Sequence, residues 1–180
     1  MNERRLIVLG ITGGIAAYKA ADLCSKLARN FDVQVVMTEN ACRFVTPLTF
    51  RTLSRRPVIT TLWQDESEWR PKHVELACEA DLFAVVPATA NFLAKAANGI
   101  ADDALTTFAA TYNGRHLYAP AMNPEMWARP ACQANVELLR SRGVIFAGPA
   151  TGNVACGAAG TGRMMEAPEI MEIIIRQLES

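Results

Sequence analysis

The residues best suited to chemistry in this chain lie in one octet, Pro120-Ala121-Met122-Asn123-Pro124-Glu125-Met126-Trp127. The carboxamide of Asn123 can fix a ligand carboxylate or amide without adding charge, and the prolines on either side hold it rigidly. A short apolar run, Leu117-Tyr118-Ala119, precedes the octet. Asn123 is therefore expected at the carboxyl end of a strand, the edge where open α/β sheets bind ligands. The same residues also read as a plain turn, since Asn-Pro starts turns and Met and Trp are common core residues. A second stretch, Gly10-Ile11-Thr12-Gly13-Gly14, joins an apolar run to a helical one. Turn amides and a helix N-terminus there would form an anion cradle, although glycines also serve a tight strand-to-helix turn. The spacing is not G-x-G-x-x-G, so a monophosphate suits it better than a dinucleotide. Thr38 ends the next apolar run where a dinucleotide enzyme would place an acid for the ribose, with Glu39 one residue later. In Pro87-Ala88-Thr89-Ala90-Asn91-Phe92, small residues and an amide would let a flat ring approach the backbone.

These groups need a scaffold. Strand-like runs are expected at Leu6 to Leu9, Val33 to Met37, Val58 to Leu62, Asp81 to Val86, Arg115 to Ala119 and Val144 to Ala147. Helical patterns alternate with them: Ile15 to about Arg29, Asn40 to Val45, Leu48 to Ser54, a helix closed by Asn98-Gly99, one from Asp102-Asp103 to about Tyr112, Met126 to Arg142, and Ala167 to Leu178. In the last of these, Ile170, Ile173 and Ile174 share a stripe. The alternation implies a doubly wound parallel α/β sheet of about six strands with helices on both faces, in one domain over residues 1–180. Gln64 to Lys72 is polar and broken by Pro71, a loop by composition. His73 then opens a short helix, where a surface or capping role is the plain reading. His116 lies beside a strand and needs no function. Gly148 to Met164 carries five glycines in 17 residues, which argues for a long flexible loop acting as a lid.

Composition excludes several classes. With 18 basic and 18 acidic residues, no net charge steers the chain to nucleic acid or an anionic membrane. No apolar run is long enough to span a bilayer, and the start, Met1-Asn2-Glu3-Arg4-Arg5, lacks a signal-peptide pattern. The five scattered cysteines, without C-x-x-C spacing, argue for reduced thiols in the cytoplasm and against disulfides or a zinc site. Cys24, Cys42, Cys78 and Cys132 fit small apolar fillers.

Taken together, the octet matches P-x-M-N-x-x-M-W, and on it the chain resembles the flavin-containing cysteine decarboxylases. Gly10 to Lys19, GITGGIAAYK, is similar to that family's FMN-phosphate turn and helix. Pro87 to Phe92 resembles its P-A-S-A-N-T motif, with Thr89 for serine and Phe92 for the final threonine. The first exchange keeps a hydroxyl; the second loses one. Cys156-Gly157 with Gly160-Thr161-Gly162-Arg163-Met164 resembles the substrate clamp of the family's coenzyme A biosynthetic branch. The resemblance implies a Rossmann-like flavoprotein domain that binds FMN through Thr12, Gly13, Gly14, Thr38, Thr89, Ala90, Asn91 and Phe92. Ala121, Met122 and Asn123 would hold the substrate, and no metal is implied.

The activity implied is FMN-dependent decarboxylation of 4'-phosphopantothenoylcysteine to 4'-phosphopantetheine, via a thioaldehyde and an enethiolate. The flavin carries the hard electronic step while the protein positions and protonates. On the same resemblance His73 is the acid/base, Asn123 holds the cysteine carboxylate, and Cys156 donates the proton that completes reduction. Two alternatives belong to the same fold: a peptidyl-cysteine decarboxylase that releases the enethiol, and a non-catalytic regulatory subunit. Members of the last group carry long acidic tails, which this chain lacks. Family members assemble as homotrimers or dodecamers with sites at subunit boundaries, and many are fused to a synthetase.

Overall fold

The computed structural model describes residues 4–63, 72–153, 155, 157 and 159–179. Five parallel strands form the central sheet in the order β2-β1-β3-β4-β5. They are β1 (Leu6–Ile11), β2 (Asp32–Met37), β3 (Leu82–Ala88), β4 (His116–Pro120) and β5 (Ile145–Phe146). Strand residues alternate between two cores, because successive side chains leave a strand on opposite faces. Ile7, Leu9 and Ile11 of β1 enter one core with α1 (Ala17–Leu27), α3 (Pro47–Ser54) and α9 (Ala167–Glu179). Leu6 and Val8 enter the other with α4 (Lys72–Glu79), α5 (Ala90–Asn98), α6 (Ala104–Thr111) and α8 (Pro130–Ser141). On α9 the buried positions are Ala167, Ile170, Ile174 and Leu178, one stripe at helical spacing, with Ile173 partly buried beside it. In the second core Phe83 meets Phe108 edge-on at 5.0 Å, and half-buried His116 bonds the Tyr118 hydroxyl at 2.8 Å and the Tyr112 carbonyl at 3.0 Å.

Three expectations need correction. The sheet has five strands, not six, because Val58 to Leu62 pairs only through Ile59, which bridges to Val36. Only Val58 of that run is buried; Thr61 and Leu62 turn to the surface, so β-branched composition without a face to bury did not make a strand. The run Met126 to Arg142 is two helices, α7 (Pro124–Ala128) and α8. Pro130 pushes Arg129 into an extended conformation (ψ 134°) and breaks the helix there. The glycine-rich run is not a loop throughout: β6 (Ala150–Asn153) and β7 (Ala159–Arg163) pair as an antiparallel hairpin. The expected loop from Gln64 to Lys72 lies outside the described residues up to Pro71.

Candidate functional site

In this strand order the chain leaves β1 towards β2 on one side and reaches β3 on the other. The loops after β1 and β3 therefore diverge and open a crevice at the carboxyl edge. Thr12 stands in that gap, almost fully buried. Its hydroxyl donates to the Pro87 carbonyl at 2.7 Å and accepts from the Thr89 amide at 3.1 Å, pinning the two loops together. Around this bridge lies a cavity of about 1010 Å³. Its wall includes Thr12, Gly13, Gly14 and Thr38 on one side and Thr89, Ala90, Asn91 and Phe92 on another. Ala121, Met122 and Asn123 close it from the β4 side.

Each wall segment has a local cause. At Gly13 a Cβ would stand 2.4 Å from the Cβ of Asn40 in α2 (Glu39–Phe44), so only glycine fits the turn. Thr38 caps α2 by accepting from the Ala41 amide at 3.2 Å, and Thr89 caps α5 by accepting from Phe92 at 3.3 Å. A threonine hydroxyl that accepts a capping bond keeps its own hydrogen to donate. The Phe92 ring is buried edge-on against Tyr118 at 5.0 Å. It fills core where the family's threonine would offer a hydroxyl.

Asn123 caps α7: its Oδ1 accepts from the Glu125 amide at 2.8 Å. That bond fixes the plane of the carboxamide at the cavity wall. The segment before it is fixed by its backbone, since the Ala121 amide donates to Ala88 and the Met122 amide to Gly162 at 3.0 Å. Gly162 sits so close that a Cβ there would lie 2.5 Å from the Met122 carbonyl oxygen. The hairpin is thus seated on the octet through a glycine backbone, and Asn153 and Ala155 bring its far end to the cavity wall.

His73 and Cys156 stand apart from this cluster. His73 is half-buried near the start of α4, a helix packed beside α6, and is not among the described residues lining the cavity. Cys156 lies outside the described residues. Of the other cysteines, Cys24 is buried in the core, where desolvation pushes its thiol up to about 12. Cys132 is buried beside Met122, and Cys42 is half-buried. Cys78 is exposed, so the filler reading fails for that residue.

The cavity also has charged walls that motif reading did not single out. Lys95 bonds both oxygens of Asp102 at 2.7 and 2.8 Å. Hydrogen bonding to Lys95 holds the Asp102 carboxyl below the usual carboxylate range. Lys19 and Arg163 both bond Oε1 of Glu166, Lys19 at 2.8 Å. Lys19 is the last residue of the glycine-turn motif and Arg163 lies in the clamp motif, but only the fold brings Glu166 between them.

A model of the Flavoprotein family matches residues 1–179. The chain is 44% identical over 174 residues to the coenzyme A biosynthesis bifunctional protein CoaBC of Bacillus subtilis, covering 96% of this chain and 43% of that one. To the CoaBC protein of Mycolicibacterium smegmatis it is 44% identical over 180 residues, covering 99% of this chain and 43% of the relative. The chain therefore spans less than half the length of these curated relatives. Among solved structures it is similar to a mutant PPC decarboxylase complexed with pantothenoylaminoethenethiol, with TM-score 0.89, 28% identity, and 99% and 100% of the two chains covered. The FMN-dependent cysteine decarboxylase SpaF gives TM-score 0.84 and 29% identity, with 98% of each chain covered.

Proposed function

This chain belongs to the Flavoprotein family, and from that premise we propose that it decarboxylates 4'-phosphopantothenoylcysteine to 4'-phosphopantetheine with FMN. One observation carries the reading: the octet amide and the glycine-turn cradle, 110 residues apart (123 minus 13) in the chain, line one cavity of about 1010 Å³. That space is at the upper end of ligand sites, as a flavin and a substrate together require. The fit to FMN rests on chemistry in place. Gly13 lets the backbone turn tightly, the α1 N-terminus follows Gly14, Thr38 and Thr89 supply hydroxyls, and Thr12 holds the two loops in register through its bonds to Pro87 and Thr89. The Phe92 ring is committed to Tyr118, so that motif position would serve the flavin through its backbone and its packing. Held along the wall formed by Gly13, Gly14, Thr38 and Thr89, a bound flavin would supply reversible hydride-transfer chemistry at the carbon that bears sulfur.

The protein's part is positioning. Asn123 would hold the cysteine carboxylate with a neutral donor, aimed by the bond between Oδ1 and the Glu125 amide. Ala121 and Met122 lie beside it in the wall and limit water around that carboxylate, which favours its departure as neutral carbon dioxide. Cys156 is assigned the proton that accompanies hydride return when the enethiol is reduced to the saturated thiol, and His73 general acid/base catalysis. Because His73 is off the cavity of its own chain, we assign it to the site of a neighbouring copy, in a homotrimer or a dodecamer of four trimers. The rim supports this: Ile15 and Tyr18 line the cavity and are each more than half exposed, as apolar groups at a subunit boundary would be. The length of the bifunctional relatives supports a synthetase as partner or attached half.

The test is carbon dioxide release from 4'-phosphopantothenoylcysteine set against a peptide ending in cysteine. The former should turn over and the latter should not; the reverse would establish the peptidyl alternative. Asn123→Ala and His73→Asn should keep the flavin and lose release, because each removes a group from a preorganised site. Retained turnover in either variant would remove that residue from the mechanism.

A further inference from the structure

The described cavity wall carries three cations, Lys19, Lys95 and Arg163, and each is already paired with a carboxylate. Arg163 lies on β7, the hairpin strand seated on the octet. It follows Gly162, whose carbonyl takes the Met122 amide at 3.0 Å, and a Cβ on Gly162 would lie 3.4 Å from the Asn123 carbonyl carbon. Glu166 holds the Arg163 guanidinium and the Lys19 ammonium on the same oxygen. Those two bonds, Lys19 first, hold the Glu166 carboxyl below its usual range and keep it charged.

A decarboxylation destroys the charge it starts from. A guanidinium on the substrate carboxylate would stabilise the ground state more than the transition state, in which that charge is leaving for sulfur. A neutral amide positions the same carboxylate with a smaller difference. We propose that Glu166 is a positioning residue that sequesters Arg163 and Lys19, so that the substrate carboxylate meets the uncharged Asn123 amide alone. This rests on the decarboxylase reading above and adds to it a reason for the ion cluster.

The test uses flavin-loaded protein and Glu166→Gln, which keeps the side-chain shape and releases both cations. With 4'-phosphopantothenoylcysteine, the variant should show KM and kcat both lowered, each by about five-fold, the size of one partly exposed ion pair. Flavin bleaching should proceed at the wild-type rate while carbon dioxide release lags. The serine analogue of the substrate, which has no thiol to oxidise, should bind about five-fold more tightly by calorimetry. Adding Arg163→Met to Glu166→Gln should return affinity and kcat towards wild type. A structural role for Glu166, merely tethering the hairpin to α1, would instead raise KM or weaken analogue binding. Either result, or unchanged constants, overturns the proposal. If wild type binds the analogue but never releases carbon dioxide, the decarboxylase reading falls, while the analogue affinities still decide whether Glu166 withholds the cations.

Discussion

The bridge at Thr12 gives the sharpest structural prediction. Thr12→Val removes one oxygen from a side chain that is 2% exposed and leaves nearly the same volume. Two bonds are lost, one to the Pro87 carbonyl at 2.7 Å and one from the Thr89 amide at 3.1 Å. Each bond contributes about 1 kcal/mol, and an orphaned buried partner adds roughly 1–3 kcal/mol. Thr89 is only half-buried and its amide can turn to water, so the carbonyl carries most of the orphan penalty. The sum is about 3 kcal/mol. For a chain of this length each kcal/mol moves the midpoint by about 3 °C, so thermal unfolding followed by circular dichroism should fall by about 9 °C. Flavin affinity should weaken in the same variant, because the loops after β1 and β3 lose their common pin. Thr38→Val removes only a helix cap and should cost about 1 kcal/mol. A Thr12→Val midpoint within about 2 °C of wild type would refute the reasoning that this hydroxyl holds the crevice together.

Gly162→Ala forces a methyl to within 2.5 Å of the Met122 carbonyl oxygen. The hairpin should lift from the octet, costing about 1–3 kcal/mol in the unfolding midpoint and raising KM for substrate; an unchanged KM would show that the hairpin seat is irrelevant to binding. Cys156→Ser should keep the flavin yet release the enethiol and leave the flavin reduced, read as product mass together with the flavin absorbance. Burial lowers the pKa of His116, since the imidazolium is desolvated among Phe83, Tyr112 and Tyr118. The unfolded chain protonates at the ordinary value of 6.5 and the folded chain only at lower pH. Stability should therefore decline as pH falls below 6.5 and level off below the folded value. His116→Phe should flatten that part of a midpoint-versus-pH curve.

Much of this site was legible in the chain because turn chemistry is local. Asn98-Gly99 ends α5 with Gly99 in the left-handed region (φ 69°), and Asp103 caps α6 through a reciprocal bond pair with Thr106. Thr38, Thr89 and Asn123, singled out for ligand chemistry, are each also a helix cap, so the turn reading and the ligand reading describe the same atoms. What was not legible depends on partners distant in sequence. Val58 to Leu62 has strand composition, but its neighbours bury only its first residue. The glycine run could be recognised as unable to fill a core, yet its strands form because bare Cα positions at Gly160 and Gly162 pack against Pro124 and Met122. Glu166 belongs to no motif, and its meeting with Lys19 spans 147 residues. The distance between His73 and the cavity is likewise a property of packing, which spacing cannot convey.

The account depends most directly on what the flavin-loaded chain does to 4'-phosphopantothenoylcysteine in a single turnover, with flavin absorbance and product mass recorded together. It predicts transient loss of the oxidised flavin band, release of carbon dioxide, and 4'-phosphopantetheine as the final thiol. A flavin band that never bleaches, with the substrate recovered intact, would contradict it.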